Sequence, residues 1–437
     1  MAVETWHNWA GTQSATPYRF ETPHSVSELQ SIVQDAARRG LRVKAVGAGH
    51  SFTGVAVTDG VLISLDELSG IESVDLYDGG ADATVLAGTR LHDLNELLWH
   101  RGLALTNLGD IDVQSIAGAI ATGTHGTGAG FGGLATQVVG FTIVLADGSV
   151  VKCSATENID LFEAGRLGLG AVGILSTVTL RCVPSFTMTA VEAPESLDET
   201  LARVDYDREF VDHFEFYWFP HTRRTLTKRN KRMPGNMPVT PAHPMRAYIE
   251  DELLSNVAFE GINRFATLAP KTIPFVNQVT SRVLSAREFT DHSHRVFASP
   301  RRVRFREMEY AIPVESLTDT LAEIDSWIEK SDFTVAFPVE VRFAAADDVW
   351  LSTANGRETA YVAVHQYHRR DHNPYFDAVE QIAKAVDGRP HWGKMHGRTA
   401  DDLRPTYRNF DDFLSVRDEY DPNRMFQNPY LQQVLGD

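Results

Sequence analysis

The sequence predicts an α+β protein with more than one domain, and three observations predict it. Residues 25–65 read as helix, strand, glycine loop and strand. Residues 84–182 mix strand runs with two helices and two glycine clusters. Beyond Val191 the pattern changes to longer helices set between strands, as in 213–219, where aromatic and polar residues alternate. At 437 residues the chain has room for two or three domains, at roughly 150 residues each.

The elements follow in order. Residues 6–9 and 17–23 read as an irregular lead-in. Val26, Leu29, Ile32, Val33 and Ala36 recur at helical spacing, with Ser25 as cap and Gly40 as stop. Val43, Ala45 and Val46 form a strand that runs into Gly47-Ala48-Gly49-His50-Ser51-Phe52. Gly47 and Gly49 remove two side chains, so the loop's amides can face an anion such as a dinucleotide phosphate. The nicotinamide fingerprint requires a third glycine at the motif's end and a helix directly after it. Phe52 stands there instead, and a loop and a strand (61–65) follow, so that fingerprint is excluded.

A strand at 84–87 and a helix at 91–101 come next, then a helix at 115–122. Residues 124–130 are too rich in glycine for a helix interior. Their setting among buried-looking residues predicts close packing against the backbone rather than a flexible surface loop. Strands 141–145 and 150–153 form a hairpin around Asp147-Gly148. A glycine cluster at 168–173 leads into a strand at 174–182, and Pro184 marks a domain boundary. Helices are expected at 197–204, 249–268, 276–284, 314–330 and 375–386, and strands at 213–219, 304–312, 335–343 and 361–367. Residues 234–244 read as loop, and short helices follow Gly388.

Composition narrows the function. The net charge of −17 argues against nucleic acid or an anionic membrane as the general partner. Cys153 and Cys182 sit in apolar strand runs and read as reduced core residues, which points inside the cell. The first eleven residues lack the basic and apolar regions of a signal peptide, and no apolar run approaches the ~18–20 residues of a membrane span. A cytoplasmic location is expected, with membrane association left open. Six bases at 223–232 read as a solvated loop or as a face turned to an anion or partner. His391 and His396 are five apart, but no matching cluster completes a metal site, so no metal is expected. Glu340 and Arg342 share one face of a strand. Opposite charges in an apolar run are costly unless they pair or bind something.

Three motifs together resemble the vanillyl-alcohol-oxidase superfamily of FAD enzymes: Gly47–Phe52, Thr122-Gly123-Thr124-His125-Gly126, and Pro390-His391-Trp392-Gly393-Lys394. Within it the chain is most similar to the sugar-1,4-lactone branch, with alditol oxidases as relatives, and the resemblance covers nearly the whole chain. It implies a two-subdomain FAD-binding domain over 1–185, an α+β cap holding the substrate over 186–387, and a segment at 388–437 that returns to the FAD domain. It implies that Val46, Gly47, Ala48, Gly49, His50, Ser51 and Phe52 hold FAD, with His50 as a covalent tether. Ser115, Gly118, Thr122, Gly123, Thr124, His125 and Ile174 would contact the cofactor's other side.

The activity implied is oxidation of a carbinol of an aldono-1,4-lactone, gulono-1,4-lactone-like, by hydride transfer to flavin N5. The alternative is an alditol oxidase acting on xylitol- or sorbitol-type polyols with oxygen. A third reading, a flavin- or sugar-binding protein without catalysis, is disfavoured because Glu340, Arg342 and Lys394 are all present. By the resemblance, Glu340 orients the substrate hydroxyl or takes its proton, and Arg342 and Lys394 stabilise negative charge. His365 is a second base candidate, with a structural role as the alternative. Asp110 stands where alditol oxidases carry a serine that holds the polyol, which favours a lactone. Gly109 occupies the family's oxygen-gate position. The electron acceptor, oxygen or a dye or protein, stays open.

Overall fold

The computed structural model describes residues 5–241, 259–298 and 303–437. Near its start a three-stranded parallel sheet has the order Arg19–Glu21, Val61–Ser64, Val43–Val46. The helix Val26–Arg38 buries Leu29, Val33 and Ala36, and the Ser25 hydroxyl caps it by accepting the Glu28 amide at 3.2 Å. A second, antiparallel sheet runs Val150–Ser154, Val138–Val144, Ile174–Pro184, Gly80–Leu86, Ile71–Tyr77, with Leu103–Leu105 also paired to Ile174–Pro184.

The third sheet holds eight strands in the order Arg287–His292, Phe186–Ser196, Arg224–Pro234, His213–Phe219, Val339–Ala344, Thr359–Tyr367, Phe305–Pro313, Arg389–Pro390. All its pairings are antiparallel. Strand alternation splits it into two unlike faces. One presents Phe214, Phe216, Trp218, Val339, Val341, Phe343, Met308, Tyr310 and Ile312 to a core closed by the helices Leu317–Lys330 and Asn373–Ala385. Each large apolar side chain buried there contributes about 1.5–3 kcal/mol. A one-residue slip would forfeit the whole set, so the apolar face fixes the register. The intervening residues, Glu215, Tyr217, Glu340, Arg342, Glu307, Glu309 and His365, are thereby forced onto the opposite face.

A separate core joins the two N-terminal sheets to the C-terminal helices Phe410–Tyr420 and Pro429–Leu435, and it includes Val349, Leu351 and Trp392. The glycine-rich segment after residue 122 crosses between the cores. Gly128 donates its amide to the Phe343 carbonyl at 2.9 Å, and the Ala345 amide donates to the Phe131 carbonyl at 3.0 Å. The Thr127 hydroxyl donates to the Phe214 carbonyl and accepts the Phe343 amide at 3.2 Å. The expected close packing is present.

Several expectations are corrected. Residues 6–23 are not wholly irregular: Trp6–His7 pairs with Ser14–Ala15, and Arg19–Glu21 is a strand. Strands of two or three residues are too short to show a period. The half-exposed edge strand Ile71–Tyr77 and the helix Ile159–Arg166 were not anticipated. The strand expected from 335 begins at Val339. The helix expected at 249–268 is seen as Phe259–Leu268, and 249–258 lie outside the described residues, as do 242–244 of the expected loop. Most consequential, the basic run is no loop but the eleven-residue strand Arg224–Pro234. Three of the six charges of the run are answered by acids within the protein. Arg229 binds Glu195 at 2.7 Å and Asp207 at 2.6 Å, Lys228 binds Glu215 at 3.1 Å, and Arg223 reaches Asp198 and Asp325. Cys153 and Cys182 are both buried and free.

Candidate active site

Two cavities meet at His50, Ser51, Gln114 and Thr122. The first, of about 130 Å³, is lined by Val46, Gly47, Ala48, Gly49, Ser115, Gly118, Ile174 and Phe426 among others. Here the backbone itself forms the wall. A Cβ on Gly47 would lie 2.2 Å from Ser115 Oγ, and Gly49 sits at φ +68°. Among the described residues, the amides of Ala48, Gly49, His50 and Ser51 make no backbone hydrogen bond. Four successive donors at a glycine turn suit a pyrophosphate. Ser115 also caps the helix Ile116–Ala121 by accepting the Gly118 amide at 3.3 Å.

The floor of this cavity is pinned by Lys44. Its ammonium donates to the carbonyls of Leu169, Gly170 and Phe426 at 3.4, 3.1 and 3.2 Å. Burial pushes the Lys44 ammonium down to about 7, against the pull of Asp421. One side chain thus ties the first strand of the loop motif to the second glycine cluster and to the C-terminal tail.

The second cavity, of about 440 Å³, lies over the charged face of the eight-stranded sheet. Phe52, Asp110, Thr124, His125, Glu340, Arg342, His365 and Lys394 line it. Gly123 alone of the expected cofactor residues lies in neither lining; a Cβ there would meet Leu167 at 3.1 Å. Gly109 lines the second cavity beside Thr124, whose Cγ2 is 3.1 Å from the Cβ position.

Arg342 is the hub of one charge cluster. Its guanidinium pairs with Glu340, with Asp110 at 3.3 Å and with Glu215 at 3.1 Å. Burial pushes it down, but Glu340, Asp110 and Glu215 outweigh burial and hold it well above its usual value. The Tyr217 hydroxyl donates to Glu340 at 2.8 Å and lies 3.2 Å from Glu215. Cross-strand register explains the assembly. Tyr217 pairs directly with Glu340, Glu215 with Lys228, Lys228 with Glu192, and Glu192 with Arg287. Opposite charges therefore alternate from strand to strand, each beside its neutralising neighbour.

Lys394 belongs to a second cluster. It binds Glu307, which also faces His365 Nε2 at 3.5 Å. Glu309, two residues on, accepts His125 Nε2 at 3.2 Å. Burial pushes both carboxyls up, yet Lys394 and His365 hold Glu307, and His125 and His391 hold Glu309, below the usual range. Burial, aided by Lys394 and Arg90, pushes the His50 imidazole down to about 4, so it is neutral at neutral pH. Its ring stacks on Trp9 at 5.1 Å between centroids.

Glu215, Tyr217, Lys228, Glu307, Glu309 and His391 were not anticipated as site residues. A signal for the two glutamates exists: in Phe305-Arg-Glu-Met-Glu-Tyr310, acids alternate with apolar residues as they do at Glu340. His396, five residues from His391, does not join it. His396 instead meets the Tyr430 hydroxyl at 3.0 Å. The fold places His125 and Glu309 beside His391, with ligand-type atoms all within 4.8 Å of one another. That grouping corrects the expectation that no carboxylate and histidine set forms there. Its charge balance is met by Glu309 lying among His125, His391 and Lys394.

A cavity walled by backbone donors, opening onto a second cavity lined by held charges, fits FAD and a polar substrate. Residues 17–154 match the family described as FAD binding domain. Fold, site and this match define an FAD-linked oxidoreductase acting on a CH–OH donor. Residues 178–434 match the family described as D-arabinono-1,4-lactone oxidase, and the chain belongs to that family.

The chain is 42% identical over 433 residues to L-gulono-1,4-lactone dehydrogenase of Mycobacterium tuberculosis, covering 99% of each. It is 34% identical over 439 residues to L-gulonolactone oxidase of Mus musculus, covering 98% of each. Among solved structures, a solvent-stable cholesterol oxidase superposes with a TM-score of 0.82 at 20% identity, over 99% of this chain and 97% of that one. That likeness shows the fold: a two-subdomain FAD-binding domain with an α+β substrate domain.

Proposed function

We propose that the protein oxidises a carbinol of an aldono-1,4-lactone of the gulono-1,4-lactone kind. The observation that carries this reading is the convergence of Glu340, Arg342 and Asp110 on the cavity that His50 also lines. The names of the relatives support the lactone over an open-chain polyol. FAD, when bound, supplies the hydride acceptor at N5.

The protein's own residues do the rest. Glu340, held by Tyr217 and Arg342, is a fixed acceptor for the substrate hydroxyl and orients it or takes its proton. Arg342 and Lys394 set positive charge where negative charge develops on oxidation. Asp110 reaches the cavity from the loop after Gly109 and helps to bind the sugar. His365, beside Glu307, is a second base candidate. His50 is the covalent tether, and its neutral imidazole carries the free lone pair that attachment uses. We take 1–185 as the FAD-binding unit, 186–387 as the substrate unit and 388–437 as the returning segment. Oxygen or a dye or protein carries the electrons away.

The test is anaerobic mixing of the yellow protein with L-gulono-1,4-lactone, xylitol or sorbitol. Bleaching by the lactone and not by the polyols supports the reading; bleaching by the polyols alone overturns it. Reoxidation in air against a soluble dye then identifies the acceptor class. Acid precipitation locates the flavin: colour in the pellet supports the His50 tether, and colour in the supernatant withdraws it while leaving FAD.

A further inference from the structure

The N-terminal hairpin, in which Trp6–His7 pairs with Ser14–Ala15, lies against the glycine loop and grips it by its carbonyls. The Trp9 amide donates to the Gly49 carbonyl at 2.8 Å, the Asn8 side-chain amide to the Ser51 carbonyl at 2.9 Å, and the Thr12 hydroxyl to the Phe52 carbonyl at 3.0 Å. Asn8 is buried, and its side-chain oxygen accepts the Thr12 and Gln13 amides at 2.9 and 3.0 Å. One side chain therefore closes the hairpin's turn and reaches the loop. In a trans peptide the carbonyl and the next amide point in opposite directions. Holding the Gly49 carbonyl thus turns the His50 amide away from the hairpin.

The His50 ring is held differently from its backbone. Among the described residues neither of its ring nitrogens has a hydrogen-bond partner. A functional imidazole is ordinarily aimed by a hydrogen bond to its other nitrogen. Here the plane of the ring is set by Trp9, which stacks on it at 5.1 Å and 21°. Trp9 is in turn met edge-on by Phe52, at 6.3 Å and 82°, and by Phe305, at 5.4 Å and 68°. Those two rings stack on each other at 5.9 Å. The main chain of Trp9 fixes the loop one residue before His50, and its ring fixes the imidazole itself.

We propose that Trp9 is a positioning residue for flavin attachment: its ring face holds the His50 imidazole in the plane from which a ring nitrogen meets the flavin. The proposal rests on the reading of His50 as the tether. Attachment forms a bond between an imidazole nitrogen and the carbon of a flavin ring methyl, and breaks one C–H bond of that methyl. The methyl and the imidazole N–H each give up a proton. The electron pair of the C–H bond passes into the flavin ring, from which dioxygen removes it as hydrogen peroxide. A ring free to swivel presents its nitrogen to the methyl only part of the time, and a ring stacked on Trp9 presents it throughout.

The test compares purified wild type, Trp9→Phe and Trp9→Leu. Phenylalanine keeps a ring face, and leucine keeps apolar bulk without one. Trp9 is half-buried, so neither change empties a core. Two quantities are read on each protein: total flavin from the visible spectrum, and the share of it that stays in the pellet after acid precipitation. A full covalent share is expected in the wild type and most of it in Trp9→Phe. In Trp9→Leu the share should fall about tenfold or more with total flavin unchanged, and it should rise only slowly on incubation with FAD in air. An unchanged share in Trp9→Leu, or equal shares in the two variants, overturns the proposal and leaves the tether standing. Loss of total flavin with the share of the remainder unchanged makes Trp9 a wall of the cavity, and overturns it too. Colour in the supernatant of the wild type withdraws the tether and the proposal with it.

Discussion

The two cavities share His50, Ser51, Gln114 and Thr122 and differ in most other respects. The nucleotide cavity is walled by backbone, from stretches that are each short and continuous: 46–51, 115–118 and 168–175. Its specificity lies in what has been removed, as at Gly47, where Ser115 leaves no room for a Cβ. The substrate cavity is walled by charged side chains drawn from strands and loops that span residues 110 to 394. There specificity lies in what has been added and then neutralised in place. A backbone site tolerates no extra atom, whereas a charged site tolerates no missing partner. Substitutions in the two regions should therefore fail in different ways.

The largest effect should come from Arg342→Ala. It leaves Glu340, Glu215 and Asp110 facing one another without their common cation, and breaking a buried pair typically costs about 3–5 kcal/mol. Denaturant unfolding should register that loss, and flavin reduction by lactone should fall by about a thousandfold. Retained turnover would remove Arg342 from the site. Next, Glu340→Gln keeps the shape and the Tyr217 hydrogen bond but not the charge. Anaerobic reduction should slow by about a hundredfold or more with flavin content unchanged.

Gly47→Ala should reverse that pattern. Overpacking costs about 1–3 kcal/mol, so the ratio of flavin to protein absorbance should drop while the remaining loaded molecules turn over normally. A fully loaded Gly47→Ala protein would show that the loop can yield. Glu307→Gln is expected to act more gently. Burial pushes the Lys394 ammonium down, and Glu307 and Glu309 raise it above its usual value. Without Glu307 it deprotonates at lower pH, so the alkaline limb of the rate profile should move to lower pH.

The smallest effect concerns stability alone. Burial pushes His213 down to about 4, and His391 and His396 down to about 3, from an ordinary 6.5. Below pH about 6.5 the unfolded chain takes up protons that the folded chain refuses, so the unfolded state is favoured as pH falls. The contribution of these histidines is complete above pH 6.5 and is lost as pH falls through 4 to 3. His396→Phe should flatten the dependence of melting temperature on pH over that window; an unchanged slope would assign acid lability to the carboxylates alone.

Legibility followed the same division. The glycine loop, the Ser25 cap and the Asp147-Gly148 hairpin could be read because neighbours in sequence make them. Glu340 and Arg342 could be placed on one face because period two is a local rule. Their partners could not, since Tyr217 meets Glu340 only through the register of two strands 123 residues apart. The basic run misled for a related reason. Its charges resemble those of a solvated loop until Glu195, Asp207 and Glu215 are brought alongside by other elements.

Lys44 adds a point about timing. The three carbonyls that grip its ammonium belong to residues 169, 170 and 426. The ribosome makes the loop motif early, and the sheets around it can form while synthesis continues. The floor beneath that loop is incomplete until residue 426 has emerged, when most of the polypeptide already exists. The nucleotide cavity, which Phe426 also lines, is therefore completed late in the synthesis of each molecule.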